Sequence, residues 1–140
     1  KPMQKFANEQ QMIDFGQNLA KTLEVPAVIE LVGDVGAGKT TITKGIAHGL
    51  GIDDEITSPT FTLSKRYSFK RKGKEYFLVH YDFYRLNDPG IMSEDLLENI
   101  QDKNTITIIE WGDSVSDLLP EDHLRFYISI NDDGSRSITK

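Results

Sequence analysis

One segment of eight residues constrains this chain more than any other. Residues 33–40 read G-D-V-G-A-G-K-T and fit the pattern G-x-x-x-x-G-K-[ST]. In this pattern the glycines let backbone N–H groups turn toward phosphate oxygens, and the lysine reaches the β and γ phosphates. Lys39 would take that lysine role, and the Thr40 hydroxyl would contact Mg²⁺. The segment therefore predicts a bound nucleoside triphosphate, in a loop that connects a strand to a helix.

The residues on both sides of the loop fit this context. Residues 25–32 are mostly apolar and predict a buried strand. From Lys39 to Leu50, isoleucine and leucine recur on one helical face, and Gly51 follows as a stop signal. The predicted helix would turn its positive N-terminal end toward the phosphates.

Helical and strand-like patterns alternate along the rest of the chain. An amphipathic helix is predicted from Asn8 to Thr22, with Asn8 as its cap, and a shorter helix from Ser93 to Ile100 after a cap at Asp88-Pro89. The strand predictions cover 61–69 and 75–82 as a hairpin with Gly73 in its turn, then 105–110, 124–130 and a last strand through Ile138. Together these patterns predict one domain spanning 1–140. We expect a P-loop NTPase-like, layered α/β domain whose mixed sheet has a parallel core and an added antiparallel hairpin.

Composition excludes several classes of site. The 140 residues include no cysteine, which excludes a disulfide framework, a thiolate zinc site and a cysteine nucleophile. The formal net charge of −6 makes the chain a poor nonspecific binder of nucleic acid. No apolar run approaches the roughly 18 residues of a membrane span, and residues 1–20 do not resemble a secretory signal. We therefore expect a cytoplasmic protein with no membrane segment.

A basic segment interrupts this acidic background. Lys65 to Lys74 holds six basic residues, interleaved with Tyr67 and Phe69. It is a candidate for local contact with RNA or with a protein. The alternative, which we favour, is a solvated hairpin whose charges protect an edge strand.

Two carboxylates end apolar strands, where phosphate-loop proteins place a further metal contact. These are Asp82 and Glu110, and the pattern alone does not assign their roles. His80 lies two residues before Asp82 on the same strand face, so it could orient that acid or be an ordinary core histidine. Trp111 could stack near a nucleotide or pack beneath the sheet.

Arginine is the other residue type suited to phosphate oxygens, because its guanidinium can bind them in a bidentate way. Arg85 and Arg136 are candidates for such contacts. His48 and His123 have no metal-type spacing and are interpreted as structural. The chain lacks an [NT]-K-x-D element, so selectivity for GTP is unsupported, and it lacks the dinucleotide pattern G-x-G-x-x-G.

Four segments, taken together, resemble one protein family. Residues 33–41, 58–61 (S-P-T-F), 80–85 (H-Y-D-F-Y-R) and 109–111 (I-E-W) match the TsaE family, also called YjeE, in order and spacing. The resemblance implies an ATPase of bacterial tRNA modification that works with the proteins TsaD and TsaB. In that family picture, the partners install threonylcarbamoyl on N6 of adenosine 37 in ANN-decoding tRNAs. The ATPase docks on them and hydrolyses ATP to reset the complex, and it meets tRNA only through the complex.

The resemblance also assigns roles to residues, with ATP and Mg²⁺ as cofactors. Thr40 and Glu110 match the Mg²⁺ ligands, Lys39 the catalytic phosphate clamp, and Asp82 a catalytic residue for hydrolysis or water orientation. The nucleotide-binding positions would be Glu9, Gly36, Ala37, Gly38, Lys39, Thr40, Thr41, Trp111 and Arg136, with Glu9 placed before the first helix.

Three alternatives remain open from sequence. The chain could be a nonhydrolytic ATP-binding module that assists assembly, or a small-molecule kinase, although no motif for a second substrate is evident. Within the ATPase interpretation, Ser58-Pro59-Thr60 could be a switch that senses the γ phosphate, or a rigid turn.

Overall fold

The computed structural model describes residues 3–57, 59, 64–84, 90 and 92–140. Its strands are β1 Gln4–Phe6, β2 Ala27–Val32, β3 Ser64–Arg71, β4 Lys74–Asp82, β5 Thr105–Glu110, β6 Leu124–Ile130 and β7 Arg136–Thr139. Its helices are α1 Glu9–Thr22, α2 Lys39–Gly49, α3 Met92–Gln101 and a 3₁₀ helix, Gly112–Leu118. The predictions made for residues 58, 60–63 and 85–89, including Arg85 and most of the switch segment, lie outside the described residues.

The strands form one mixed sheet in the order β1-β7-β6-β2-β5-β4-β3. Its parallel core is β6-β2-β5-β4, and β3 adds to β4 as the antiparallel arm of a hairpin. This confirms the predicted mixed sheet with a parallel core. A second antiparallel addition, β7 and β1, lies at the opposite edge. Since β1 has three residues, its sequence is too short to show an alternating pattern.

The two faces of the sheet carry different helices. Alternation along β2 directs Ile29 and Leu31 to one hydrophobic cluster, with residues of α1 and α2. Val28 belongs to the second cluster, on the opposite face, with Leu96 of α3 and Val115 of the 3₁₀ helix. Because the sheet is covered on both sides, its central parallel strands read as near-continuous apolar runs.

The two longest helices pack with their backbones in direct contact. A methyl group at Gly45 would lie 2.3 Å from the carbonyl oxygen of Ile13, and one at Gly16 would lie 2.6 Å from that of Ile42. Only glycine permits this approach. Near the start of α1, Met12 fills the space beside Gly38, where a methyl group would lie 2.4 Å from its Cε. The first turn of α1 is therefore fixed next to the glycine-rich loop.

Helix and strand ends follow the sequence signals closely. Asn8 caps α1 by accepting a hydrogen bond of 2.9 Å from the backbone N–H of Gln11. Gly51, just beyond α2, has φ of 84°, as expected for a glycine stop. The differences amount to one or two residues. β2 begins two residues later than predicted, at Ala27, and β3 continues two residues beyond its predicted end, to Arg71. α2 ends one residue early, β4 begins one residue early, and α3 is longer by one residue at each end.

The basic hairpin ends the sheet at its β3 edge, where charged side chains are expected. One of its basic residues also has a packing role, because Arg71 donates hydrogen bonds of 2.9 and 3.3 Å to the carbonyls of Leu23 and Ala20 at the end of α1. Within the described residues, none of the helices has the length and apolarity needed to cross a membrane.

Candidate nucleotide-binding site

The carboxyl ends of β2, β5 and β4 meet at one edge of the sheet and enclose a cleft of about 390 Å³. This is where open α/β sheets bind ligands. The cleft is lined by Val35, Gly36, Gly38, Lys39, Thr40, Thr41, Asp82, Tyr84, Glu110 and Trp111. Eight of these ten were predicted from sequence as site residues, so the fold gathers most of the predicted site. Tyr84 and Val35 had no signal of their own beyond their positions inside motifs.

The loop between β2 and α2 directs its backbone toward this cleft. Gly36 and Gly38 have φ of 80° and 114°, a region of backbone conformation open mainly to glycine. Ala37 closes a tight turn by donating its N–H to the carbonyl of Asp34 at 3.0 Å. Gly38 directly precedes α2, so the N-terminus of that helix borders the cleft and favours an anion there.

Lys39 reaches back over the loop. Its Nζ donates hydrogen bonds to the carbonyl oxygens of Gly33 at 2.5 Å and Asp34 at 2.9 Å, and lies 4.3 Å from the centre of the Trp111 ring. Burial lowers the pKa of Lys39, and the negative charges of Glu110, Asp82 and Asp34, in that order, oppose this shift. Phosphate oxygens entering the cleft would offer the ammonium group stronger, charged acceptors than these carbonyls.

Thr40 and the two acids supply oxygen atoms suited to a hard cation. The Thr40 hydroxyl lies 3.4 Å from Oε2 of Glu110, and Asp82 is the register partner of Glu110 across β4 and β5. The backbone N–H of Tyr84 donates to Asp82 at 2.9 Å. No group of three or more acidic, histidine or cysteine residues that could hold a metal occurs in the described ranges. Mg²⁺ is commonly held by one or two carboxylates with nucleotide phosphates and water, so this donor set fits it.

Trp111 lies beside the cleft, in a backbone conformation rare for a residue with a side chain. Its φ of 57° and ψ of 50° place it in the left-handed region, just before the 3₁₀ helix. Its ring contacts Tyr84 with centroids 4.7 Å apart and faces the Lys39 ammonium. This geometry places the ring at the rim of the loop, while stacking on a nucleotide stays a prediction. Strained residues of this kind concentrate at functional sites.

Two predicted nucleotide-binding residues, Arg136 and Glu9, are not among the residues that line the cleft. Arg136 of β7 donates hydrogen bonds to the carbonyls of Ala37 at 3.1 Å and Gly36 at 3.2 Å, so it braces the loop directly. Glu9 is the first residue of α1, which corrects its predicted place before the helix. Its side chain is exposed, one helical turn before Met12, which packs on Gly38.

His80 contacts a different acid from the one that sequence spacing suggested. Its Nε2 lies 2.5 Å from Oε2 of Glu110, on the neighbouring strand. The possible pairing with Asp82 was inferred from two residues on one strand face, whereas the observed partner depends on how β4 and β5 pair. No local sequence signal identifies that pairing.

A second cleft of about 370 Å³ lies behind the loop, between β6 and the start of the 3₁₀ helix. It includes Asp113 and the buried Glu30. Glu30 accepts hydrogen bonds from Arg125 at 2.8 Å and from His123 at 3.0 Å. His123 therefore has a structural partner, as expected from its lack of metal-type spacing.

Known proteins resemble this chain over most of its length. A family model described as "Threonylcarbamoyl adenosine biosynthesis protein TsaE" matches residues 6–138. Proteins named "tRNA threonylcarbamoyladenosine biosynthesis protein TsaE" are similar to it in several bacteria. The one from Streptomyces coelicolor is 38% identical over 117 residues, covering 84% of this chain and 78% of the relative. The one from Haemophilus influenzae is 33% identical over 135 residues, covering 93% and 83%.

Similarity extends to structure. The crystal structure of Bacillus subtilis YdiB superimposes with a TM-score of 0.74 at 30% sequence identity, covering 98% of this chain and 82% of that one. A TsaE from Bacillus subtilis is 41% identical over 113 residues, covering 80% of this chain and 67% of the relative.

Proposed function

The chain belongs to the TsaE family of threonylcarbamoyl adenosine biosynthesis proteins, and from that premise we propose that it is a magnesium-dependent ATPase. Its hydrolysis supports threonylcarbamoylation of adenosine 37 in ANN-decoding tRNAs. It acts by docking on the TsaD and TsaB proteins and resetting their complex between turnovers. It meets tRNA through that complex.

One observation carries the proposal of ATP chemistry: the loop lysine, the loop threonine and two carboxylates line a single cleft. Phosphoryl transfer needs positioned charge more than covalent chemistry from the protein. The ammonium group of Lys39 folds back to the Gly33 carbonyl, beside the place where the β and γ phosphates would bind. Thr40 and Glu110 offer oxygen ligands to a cation. This combination supports hydrolysis rather than binding alone.

Each residue then has a distinct role. Backbone N–H groups of the loop and the N-terminus of α2 bind the phosphates, and Lys39 neutralises their charge. Thr40 and Glu110 would hold Mg²⁺, which would supply positive charge to the phosphate oxygens. Asp82, at the mouth of the same cleft, orients the attacking water and accepts its proton.

The decisive experiment measures phosphate release from ATP by the purified protein, alone and with TsaD and TsaB, each with and without tRNA. We expect release that depends on Mg²⁺ and rises when both partners are present. Lys39→Ala should abolish it. Lys44→Ala, an exposed lysine on the same helix, should not. Absence of ATP binding to the parent protein by calorimetry, or equal binding by Lys39→Ala, would contradict the proposal.

A single-turnover measurement separates catalysis from a purely structural use of ATP. If the complex with TsaD and TsaB assembles on ATP but releases no phosphate, the chain is a nonhydrolytic assembly module. Transfer of the phosphate to a metabolite, detected in a screen with labelled ATP, would instead identify a kinase.

A further inference from the structure

A buried histidine contacts one of the proposed Mg²⁺ ligands. His80 lies in β4, at the border between the parallel core and the antiparallel hairpin, and is fully buried. Its Nε2 lies 2.5 Å from Oε2 of Glu110. Because an ionised carboxylate only accepts hydrogen bonds, the ring donates Nε2–H to it.

A histidine at this position also lowers the stability of the fold. The other ring nitrogen, Nδ1, is buried and has no hydrogen-bond partner within the described part of the chain. An unpartnered buried nitrogen is destabilising, and an apolar side chain of similar size would avoid it. The advantage of histidine over an apolar residue at this position is therefore the hydrogen bond from its Nε2–H to the Glu110 carboxylate.

The acceptor is itself confined. Glu110 is 3% exposed, so its carboxylate is largely shielded from water. The Thr40 hydroxyl lies 3.4 Å from the same oxygen, Oε2, that accepts from His80. A row of three side chains thus runs from α2 through β5 to β4, and it joins both proposed Mg²⁺ ligands to the histidine.

Resting on the proposed function, we infer that His80 is a positioning residue: its Nε2–H fixes the Glu110 carboxylate in the orientation that binds Mg²⁺. A carboxylate held in this way needs no reorientation when the cation enters. Hydrogen bonds to metal-ligating groups of this kind commonly contribute about 10- to 100-fold in metal affinity.

Two variants of His80, with glutamine and with asparagine, test the inference. Each has an amide nitrogen that can donate a hydrogen bond, but at a different distance from the backbone. The glutamine amide nitrogen is three bonds from Cβ, as Nε2 is, whereas the asparagine amide nitrogen matches the position of Nδ1. His80→Gln should therefore preserve the contact with Glu110, and His80→Asn should lose it. The measurement is the Mn²⁺ concentration that half-saturates each protein with ADP, followed by electron paramagnetic resonance, beside ADP affinity in EDTA by calorimetry.

We expect His80→Asn to raise the half-saturating Mn²⁺ concentration by about 10- to 100-fold and to leave ADP affinity in EDTA unchanged. His80→Gln should restore most of the metal affinity. Equal metal affinity in the parent and both variants would overturn the inference. So would a loss of ADP affinity in EDTA of the same size, because that pattern indicates a general packing role. If ADP does not promote Mn²⁺ binding in the parent protein, the proposed metal site itself is wrong.

A measurement on the parent protein covers the case in which the variants do not fold. Nitrogen-15 spectra of the histidine rings should show His80 with its hydrogen on Nε2, and this signal should shift when Mg²⁺ is added to the ADP complex. His48 and His123 serve as internal references. A His80 ring carrying its only hydrogen on Nδ1, or a signal indifferent to Mg²⁺, would overturn the inference.

Discussion

The two carboxylates in the cleft differ in their surroundings. Glu110 is buried and contacted by Thr40 and His80. Asp82 is half-buried, and the backbone of Tyr84 donates to it. A shielded, fixed carboxylate suits a cation, whereas a more accessible one suits a water molecule.

Substitution should separate these two roles. We expect Glu110→Ala to weaken Mg²⁺-dependent ATP binding by about tenfold or more, because it removes a cation ligand. Asp82→Ala should leave that binding nearly intact and slow single-turnover hydrolysis by about 10²- to 10⁴-fold, the usual contribution of a general base. Calorimetry and phosphate release measure the two effects.

Asp113→Ala is the matched control, since Asp113 is an exposed acid three residues beyond Glu110. It should affect neither quantity. Equal losses of binding in the Asp82 and Glu110 variants would reject this division of roles.

The sequence predicted the positions of site residues best where those residues lie within one short segment. The spacing of Lys39 and Thr40 after the glycines determines their placement, because the loop and the first turn of α2 have little freedom. The partner of His80 could not be derived in the same way. It lies thirty residues along the chain, on a strand whose pairing with β4 depends on packing across the whole sheet.

At the scale of elements, a buried tyrosine connects β4 to α3. The hydroxyl of Tyr81 donates to Asp95 and accepts a hydrogen bond of 2.6 Å from Asn99. Burial, and secondly the contact with Asp95, raise the pKa of Tyr81 above its usual value of 10.0. The protonated hydroxyl of Tyr81 therefore stabilises the folded state. This stabilisation is present below pH 10 and is lost as the pH rises through the pKa of the folded state.

Tyr81→Phe should lower the free energy of unfolding at neutral pH by about 1–2 kcal/mol. Above pH 10 the parent should lose up to about 1.4 kcal/mol per pH unit more than the variant, so the gap between them narrows. Urea unfolding at several pH values measures the difference in unfolding free energy between the parent and the variant. Tyr127→Phe, at an exposed tyrosine, is the control. A gap that stays constant from neutral to strongly alkaline pH would contradict the prediction.

Element prediction succeeded where the residue pattern is distinct: α1 is an amphipathic run of fourteen residues, and β5 is a run rich in β-branched residues. β5 was predicted with its observed bounds, and α1 was predicted with its cap at Asn8. β1 was missed because three residues hold too little alternation to detect, and the 3₁₀ helix was missed because its seven residues include two apolar side chains among small and acidic ones. The 3₁₀ helix also follows the left-handed conformation of Trp111, which has no residue-type signal, since glycine or asparagine usually marks such positions.

At the scale of the whole molecule, the seven strands share one sheet, with helices packed on both faces. Sequence predicted the layered architecture but not the order of strands. That order places β2 between β5 and β6, and it depends on contacts between distant segments. The single domain predicted for 1–140 remains to be tested.

A single domain should unfold in one cooperative transition. We expect the calorimetric and van't Hoff enthalpies of thermal unfolding to agree. Mg²⁺ and ATP at about a hundred times the dissociation constant should stabilise the protein by about 2.7 kcal/mol. The same ligand concentrations should stabilise the Lys39→Ala variant little. Two resolved transitions, or a calorimetric enthalpy well above the van't Hoff value, would contradict a single domain.

The contact between Lys39 and Trp111 gives the molecule an internal optical signal. The chain has one tryptophan, and its ring faces the ammonium group that phosphates would attract. A ligand that draws this cation away alters the electric field at the indole, and therefore its emission. Occupancy of the loop by a phosphate ligand can thus be followed in real time in the unlabelled protein.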